Sequence, residues 1–181
     1  MLSYAEYLAR EAASEVKHEY LRGDVWAMAG GTPRHARLCA AMSRTVGARL
    51  AGKPCVPYSS DLRVRVEATD RSTYPDLTIV CGADQFAKDD PDAITNPTVL
   101  IEVLSETTER SDRGEKFAHY QHLPSLQEYV LVSQDSPRIE VFRRHEKTWV
   151  LSIFEAGEVV RLESLGIEFE VDAVYSDPRE R

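Results

Sequence analysis

Two short stretches, YPDLTIVC at residues 74–81 and PTVLIEVL at residues 97–104, decide the fold that this sequence predicts. Both are rich in aliphatic and β-branched residues, which is typical of strands buried on both faces of a sheet. Each also carries one acid at a conspicuous place, because Asp76 begins the first apolar run and Glu102 interrupts the second. A carboxylate among aliphatic side chains is unfavourable unless it is paired, hydrogen-bonded or bound to a metal ion. Glu102 could instead lie on a wet face of an edge strand or pair with an arginine.

Helical patterns flank these two runs along the chain. From Pro33 to Leu50 the sequence is dominated by helix formers, with Leu38, Met42 and Val46 on one side. A second helix is predicted over residues 112–123, between the apolar runs and the strand EYVLV at 128–132. A helix that crosses between neighbouring strands is typical of a mixed α/β domain.

The remaining segments complete this domain. The first 20 or so residues have a spacing compatible with one or two short amphipathic helices, and YLRGDVWAMAG, with Gly23-Asp24, indicates a hairpin. Residues 82–97, rich in acids and proline, are predicted to form a surface loop between two strands. At 181 residues, the chain fits one domain spanning 1–181, with an N-terminal helical segment over about residues 1–20.

Composition and charge restrict the class of protein. No window approaches the ~20 apolar residues of a membrane helix, and the N-terminus lacks the pattern of a secretory signal, so a cytoplasmic location is expected. The net charge of −8 argues against binding nucleic acid through a broad basic surface. Arg63 and Arg65 could meet a phosphate backbone or form an ordinary solvated face. Cys39, Cys55 and Cys81 are interpreted as buried small hydrophobes, because their spacing suits neither a disulfide framework nor a metal clip.

A lysine on the second predicted helix adds a third chemical group. Asp112, Lys116 and Tyr120 share one face, because residues four apart stack along a helix. Taken alone, they could be a solvated face with an Asp–Lys pair. Together with two strand acids, however, the lysine meets the needs of metal-assisted phosphodiester hydrolysis. Carboxylates hold Mg²⁺, the ion polarises the phosphate and acidifies water, and the lysine stabilises developing charge.

The ordered set of Pro75-Asp76 followed by Glu102-Val103 resembles the PD-(D/E)XK nuclease superfamily. More specifically, the chain resembles the Uma-type family of restriction-endonuclease-like proteins. The stretches that carry this resemblance run from about residue 16 to residue 144: VKHEYLRGDVWAMAGGTPRH, YSSDLRVRV, YPDLTIVCG, NPTVLIEVLSETTERSDRGEKFAHY and LPSLQEYVLVSQDSPRIEVFRR. The resemblance implies an α/β fold of the restriction-endonuclease kind, a mixed central sheet flanked by helices with the two acids near its centre.

The resemblance also implies roles for individual residues. Asp76 and Glu102 would be catalytic metal ligands, and the backbone carbonyl of Val103 would complete the metal's first shell. The superfamily lysine should stand at position 104, which is leucine here, and in the Uma-type family it is moved to the next helix, at Lys116. Glu19 matches a first-helix acid that many superfamily members bring to the metal.

Several of the candidate residues have ordinary structural alternatives. Glu19 could be a helix-end carboxylate paired with Lys17 or Arg22. Asp61 could support a metal ligand or could be a turn acid, since Ser-Ser-Asp is good turn chemistry. His35 could contact a phosphate or leaving group, or could simply bond to backbone. Asp112 and Tyr120 are further candidates to support the site or contact substrate.

The sequence therefore predicts a metal-dependent endodeoxyribonuclease that uses Mg²⁺ or Mn²⁺, acts on DNA and forms a homodimer. The alternative is a catalytically inactive relative that binds nucleic acid or protein, which the missing lysine at position 104 and the acidic charge favour. A metal-dependent hydrolase of another phosphoester is a third interpretation.

Overall fold

The first segment of the chain forms a helix that is shorter than the sequence predicts. In the computed structural model, which describes residues 1–28, 30–177 and 179, helix α1 spans Tyr4–Ala12. Ser3 and Glu6 form a capping box that satisfies two backbone N–H groups at its start. The chain then becomes strand β1 at His18–Leu21. The predicted helical segment over about residues 1–20 is therefore wrong in its second half.

Fourteen strands lie in the described residues. From β1 to β14 they are His18–Leu21, Asp24–Ala27, Cys55–Ser59, Arg63–Val66, Arg71–Thr73, Leu77–Cys81, Phe86–Ala87, Asp90–Ile94, Val99–Val103, Glu128–Val132, Arg138–His145, Thr148–Glu155, Val159–Leu162 and Ile167–Glu170. The α-helices of the same residues, from α1 to α5, are Tyr4–Ala12, Pro33–Leu50, Glu109–Ser111, Phe117–Tyr120 and Val171–Tyr175. A π-helical turn at Asp112–Lys116 joins α3 to α4, and short 3₁₀ turns lie at Glu67–Thr69 and Glu163–Leu165.

A mixed six-stranded sheet forms the centre of the fold, in the order β12-β11-β10-β9-β6-β3. Strands β9 and β10 are parallel, and their neighbours pair antiparallel. A parallel pair needs a crossover connection, and the segment from α3 to α4 supplies it. This confirms the mixed central sheet flanked by helices.

Both faces of the central sheet are covered. Helix α2 lays Leu38, Met42 and Val46 on one face, as their spacing predicts. The other face packs against α4 and against strand β4 of a second sheet. The middle strands β9 and β10 are therefore buried on both sides, which explains why their sequences are almost entirely apolar.

The second sheet follows the order β2-β1-β5-β4-β8-β7 and confirms the hairpin of β1 and β2. Gly23 occupies the hairpin turn with φ of +96°, which glycine adopts without strain. The prediction of a surface loop over residues 82–97 is wrong, because these residues contain strands β7 and β8. Asp90 of β8 is buried and takes two hydrogen bonds from the Arg63 guanidinium, each 2.8 Å long.

Arginines 63 and 65 belong to this sheet rather than to a phosphate-docking face. Arg63 also donates to the Tyr74 hydroxyl at 2.9 Å. The guanidinium carbon of Arg65 lies 3.6 Å from the centre of the Tyr4 ring, and its NH2 group donates to Asp70 at 2.7 Å. Neither residue is an ordinary solvated arginine, since only 13% and 6% of their side chains are exposed.

The cysteine interpretation is wrong for two of the three residues. Cys55 and Cys81 are direct partners in the pairing of β3 with β6, and they form a disulfide. The sequence could not show this, because a separation of 26 positions along the chain gives no indication that the two strands are adjacent. Cys39 is a free thiol on α2. No helix in the described part of the chain has the length and apolar character of a membrane span.

Candidate active site

Strand register brings the two predicted acids together. Strands β6 and β9 are antiparallel with Leu77 opposite Ile101, so Asp76, one residue before β6, lies beside Glu102. The backbone N–H of Asp76 donates to Glu102 Oε2 at 3.3 Å, and that of Val103 donates to Asp76 Oδ2 at 2.8 Å. Their proximity is therefore fixed by the backbone of the central sheet.

Lys116 reaches this acid pair from the crossover segment. Its ammonium nitrogen lies 3.1 Å from Glu19 Oε1, 3.2 Å from Asp112 Oδ1 and 3.4 Å from Glu102 Oε1. Burial alone would lower the pKa of Lys116, but the surrounding carboxylates, Glu102 foremost, hold the pKa well above its usual value. The lysine is therefore a buried cation shared by three acids.

The acids around Lys116 differ in how readily they ionise. Burial raises the pKa of Glu102 to about 8, against the effect of Lys116, and the charges of Asp112 and Asp76 add to the increase. Burial likewise raises the pKa of Asp112. Burial would also raise the pKa of Glu19, but Lys116 and the Thr73 hydroxyl lower it below its usual value. One carboxylate is thus kept ionised while its neighbours are held closer to neutrality, an arrangement typical of functional sites.

Glu19 belongs to the cluster, although not on the element predicted for it. It lies in strand β1 rather than in a helix, and its partners are not Lys17 or Arg22. Thr73 donates to Glu19 Oε1 at 2.6 Å, and Arg71 donates to Oε2 at 3.1 Å. Glu19 is brought to the cluster by the pairing of β1 with β5. That pairing joins distant parts of the chain, so the sequence around Glu19 cannot indicate it.

Tyr120 and Asp112 also join the cluster. The Tyr120 hydroxyl donates to Glu102 Oε1 at 3.0 Å, and the whole side chain is buried. Asp112 is 1% exposed, and its backbone carbonyl accepts a hydrogen bond from Tyr129 at 3.1 Å. The predicted shared helix face of Asp112, Lys116 and Tyr120 therefore points at Glu102.

His35 contacts Asp76 from the first turn of α2. Its Nε2 is 3.3 Å from Asp76 Oδ2. The hydrogen bond to Asp76 raises the pKa of His35, whereas burial lowers it, and a backbone hydrogen bond with Val103 adds to the increase. The Asp76 carboxylate therefore favours the protonated form of the His35 ring.

Asp61 is not part of this cluster. Its side chain is 81% exposed, it forms an ion pair with Lys17, and its backbone and carboxylate bond to the Ser59 hydroxyl. The structure therefore agrees with the interpretation of Asp61 as a turn acid.

Two residues near the site have no counterpart among the sequence candidates. Arg71 is 1% exposed and links Glu19 to Glu115, but nothing in the polar stretch around it distinguishes it from a surface arginine. Cys39 places Sγ 3.5 Å from His35 Nδ1. The spacing of four residues on a predicted helix could have identified this pair.

The chain also matches a family of known proteins. The model of the Uma2 family, described as "Putative restriction endonuclease", matches residues 4–173. The protein slr1290 of Synechocystis sp. is 36% identical over 175 residues, covering 96% of this chain and 91% of its own. A second Synechocystis protein, sll1609, is 31% identical over 153 residues, covering 84% of this chain and 86% of its own.

A solved structure shares the fold. The crystal structure of "a putative nuclease belonging to DUF820" from Anabaena variabilis superimposes with a TM-score of 0.79. The match covers 97% of this chain and 98% of that one, at 16% sequence identity.

Proposed function

Because the chain belongs to the Uma2 family of restriction-endonuclease-like proteins, we propose that it is an endodeoxyribonuclease that requires Mg²⁺ or Mn²⁺. The observation that carries this proposal is the contact of Asp76 with Glu102 in adjacent buried strands, with Lys116 3.4 Å from Glu102. Membership of the family supports nuclease activity in general. The requirement for a metal ion and the DNA substrate are proposals that go beyond it.

The donor set suits a hard divalent cation. Asp76, Glu102, Glu19 and the Val103 carbonyl would supply oxygen ligands, which Mg²⁺ and Mn²⁺ prefer. Asp112 Oδ1 is buried and forms no hydrogen bond within the described residues, although it pairs with Lys116. The raised pKa values of Glu102 and Asp112 likewise indicate more buried acid than the local cations balance. A bound cation would balance this charge, polarise the scissile phosphate and acidify the attacking water.

The protein's own groups would assist the reaction in two ways. Lys116 is a fixed buried ammonium that can stabilise negative charge on the phosphate oxygens in the transition state. His35 is half-buried at the edge of the site and holds a ring proton through Asp76, so it can contact a phosphate or protonate a leaving oxygen.

One observation favours the second candidate, a catalytically inactive relative that binds nucleic acid or protein. The Lys116 ammonium already lies within 3.4 Å of three carboxylates, so it neutralises part of the charge that a metal ion would balance. In an inactive relative this ion cluster would be purely structural. The homodimer and the cytoplasmic location remain part of the proposal, although disulfides such as Cys55–Cys81 are rare in cytosolic proteins.

The test is DNA nicking by purified protein. Supercoiled and single-stranded DNA are incubated with Mg²⁺ or Mn²⁺ and the wild type, Asp76→Ala, Lys116→Ala or Asp61→Asn. Nicking should require the cation, be lost in the first two variants and persist in Asp61→Asn, whose side chain is exposed and paired with Lys17. Equal nicking by the wild type and both site variants would identify a contaminating nuclease and overturn the proposal.

A further inference from the structure

Asp76 also lies beside two side chains whose donor chemistry differs from that of the acid cluster. His35, Cys39 and Asp76 bring one nitrogen, one sulfur and one oxygen within 4.8 Å of one another. We propose that these three side chains form a second metal site, selective for Zn²⁺ or a similar borderline transition metal, which shares Asp76 with the acid cluster.

Two of the three distances between ligand atoms are close to those around a single tetrahedral ion. Nε2 of His35 lies 3.3 Å from Asp76 Oδ2 and 3.9 Å from Cys39 Sγ. Zinc bonds of about 2.0–2.1 Å to nitrogen and oxygen and about 2.3 Å to sulfur place neighbouring ligand atoms roughly 3.3–3.6 Å apart. The His35–Asp76 pair already has this separation, and the His35–Cys39 pair needs a shift of a few tenths of an ångström. The third pair, Cys39 with Asp76, lies within 4.8 Å and closes further when an ion binds.

The local backbone favours this grouping. His35 and Cys39 are four residues apart on α2, so their side chains stack on one face of a regular helix. A Cβ atom at Gly31 would lie 2.7 Å from His35 Nδ1, so the bare glycine leaves room for the imidazole. Asp76 is held by the N–H of Val103 at 2.8 Å, which fixes the third ligand.

Ligand type separates this site from the acid cluster. Thiolate and imidazole select zinc-like ions, whereas carboxylate and carbonyl oxygens suit Mg²⁺ and Mn²⁺. His35 and Asp76 have 20% and 17% of their side chains exposed, and Cys39 is half-buried, so an ion can enter from solvent. Three protein ligands leave one position for water.

Binding requires the Cys39 thiol to lose its proton. The sulfur then bonds to the ion as a thiolate, and the proton passes to solvent. The charges of the thiolate and the Asp76 carboxylate together balance one Zn²⁺.

Sharing of Asp76 has a regulatory consequence, which rests on the proposed nuclease function. An ion held by His35 and Cys39 draws Asp76 away from the Mg²⁺ ligand set. Zinc would therefore inhibit cleavage in competition with Mg²⁺. The binding itself does not depend on any nuclease activity.

Cobalt absorption tests the site directly. Metal-free full-length protein, with its disulfide intact, is titrated with Co²⁺, and the thiolate-to-cobalt charge-transfer band is recorded. The wild type should show a band that saturates at one ion per chain and is removed by Zn²⁺. Cys39→Ser should lack the band, and His35→Ala should weaken Co²⁺ binding by at least about tenfold.

Two controls locate the signal. The double variant Cys55→Ser/Cys81→Ser should keep the band, because those sulfurs lie in the disulfide. Glu102→Gln should also keep it, which separates this site from the acid cluster whether or not the nuclease proposal holds. Circular dichroism checks that each variant folds, and Cys39→Ala serves as a second variant of the thiol. Absence of a thiolate band in the wild type, or its persistence in folded Cys39→Ser or Cys39→Ala, would overturn the proposal.

Discussion

The ammonium of Lys116 and the carboxylate of Glu102 form a buried pair, 3.4 Å apart, that joins the crossover segment to the middle of the central sheet. Lys116 ends the π-helical turn Asp112–Lys116. Such turns are rare and occur frequently at functional sites. Both groups are almost fully buried, so removal of Lys116 leaves buried acids without their shared cation.

Substitution of Lys116 by methionine should therefore destabilise the protein in the absence of metal. Lys116→Met keeps the length of the side chain but leaves three acids without their shared cation. The free energy of unfolding should fall by about 3–5 kcal/mol, the usual effect of breaking a buried ion pair. Urea unfolding with and without Mn²⁺ measures it, and Mn²⁺ should restore part of the loss.

The matched control is Lys88→Met, at an exposed lysine. Its effect should stay within about 0.5 kcal/mol, as is usual for surface substitutions. Similar stability of the two variants would show that Lys116 is not the buried cation of the site.

The stability of the metal-free protein should depend on pH through Glu102. Its pKa in the folded protein is about 8, above the ordinary value of 4.5, so the folded state retains a proton that the unfolded chain releases. This contribution is fully present below the ordinary pKa and is lost as pH rises toward about 8, by at most about 1.4 kcal/mol per pH unit.

Glu102→Gln should remove this part of the pH dependence. Urea unfolding of both proteins, with a chelator present and between about pH 5 and pH 8, should show the variant gaining stability relative to the wild type as pH rises. Parallel pH profiles would mean that Glu102 ionises normally.

The Tyr120 hydroxyl should position Glu102 for the proposed chemistry. Tyr120→Phe removes the 3.0 Å hydrogen bond to Glu102 Oε1 without changing the packing of the ring. Loss of a group that orients a metal ligand typically lowers metal affinity or activity by about 10–100-fold. Mn²⁺ affinity and the nicking rate should fall together in this range.

Tyr129→Phe is the control for this substitution. Tyr129 is equally buried and belongs to the same apolar cluster, but its hydroxyl bonds to the backbone carbonyl of Asp112. It should lose a similar amount of stability and keep Mn²⁺ affinity within about threefold, less than the usual effect of removing a ligand's partner. Equal loss of affinity in both variants would point to general loosening of the cluster.

Asp61→Asn should change little. The residue is 81% exposed, and exposed ion pairs such as Asp61 with Lys17 contribute about 0–1 kcal/mol. Thermal unfolding and Mn²⁺ titration should both resemble the wild type. A loss of metal affinity comparable to that of Glu102→Gln would restore Asp61 as a supporting residue of the site.

The elements that the sequence predicted are those with strong local patterns. Helix α2 has its predicted bounds, because Thr32 and Pro33 start it and a regular apolar stripe follows. Strands β7 and β8 were missed, because their polar stretch becomes ordered only when Asp90 meets Arg63. The disulfide was missed for a similar reason, since only sheet pairing makes Cys55 and Cys81 neighbours.

The residues of the candidate site also divide into those that a local pattern indicates and those that only tertiary contacts bring together. Glu102 could be found from the sequence alone, because a carboxylate inside VLIEVL is unfavourable without a partner. The assignment of Lys116 to the site depends on the family resemblance, because leucine occupies position 104, where the superfamily pattern has its lysine. Glu19 lies on a strand instead of the predicted helix, because that strand forms only by pairing with β2 and β5. Arg71 acquires its partners only through tertiary contacts, so no local pattern indicates it. The spacing of Cys39 from His35 on the predicted helix, in contrast, does indicate that pair.

Calorimetric titration of the metal-free protein with Mn²⁺ is the most direct test of the acid cluster as a metal site. The wild type should bind the ion, and Glu102→Gln should abolish the binding, because the buried carboxylate beside Asp76 is replaced by a neutral amide. Lack of Mn²⁺ binding by the folded wild type would contradict a metal-dependent nuclease and leave the ion cluster with a structural role.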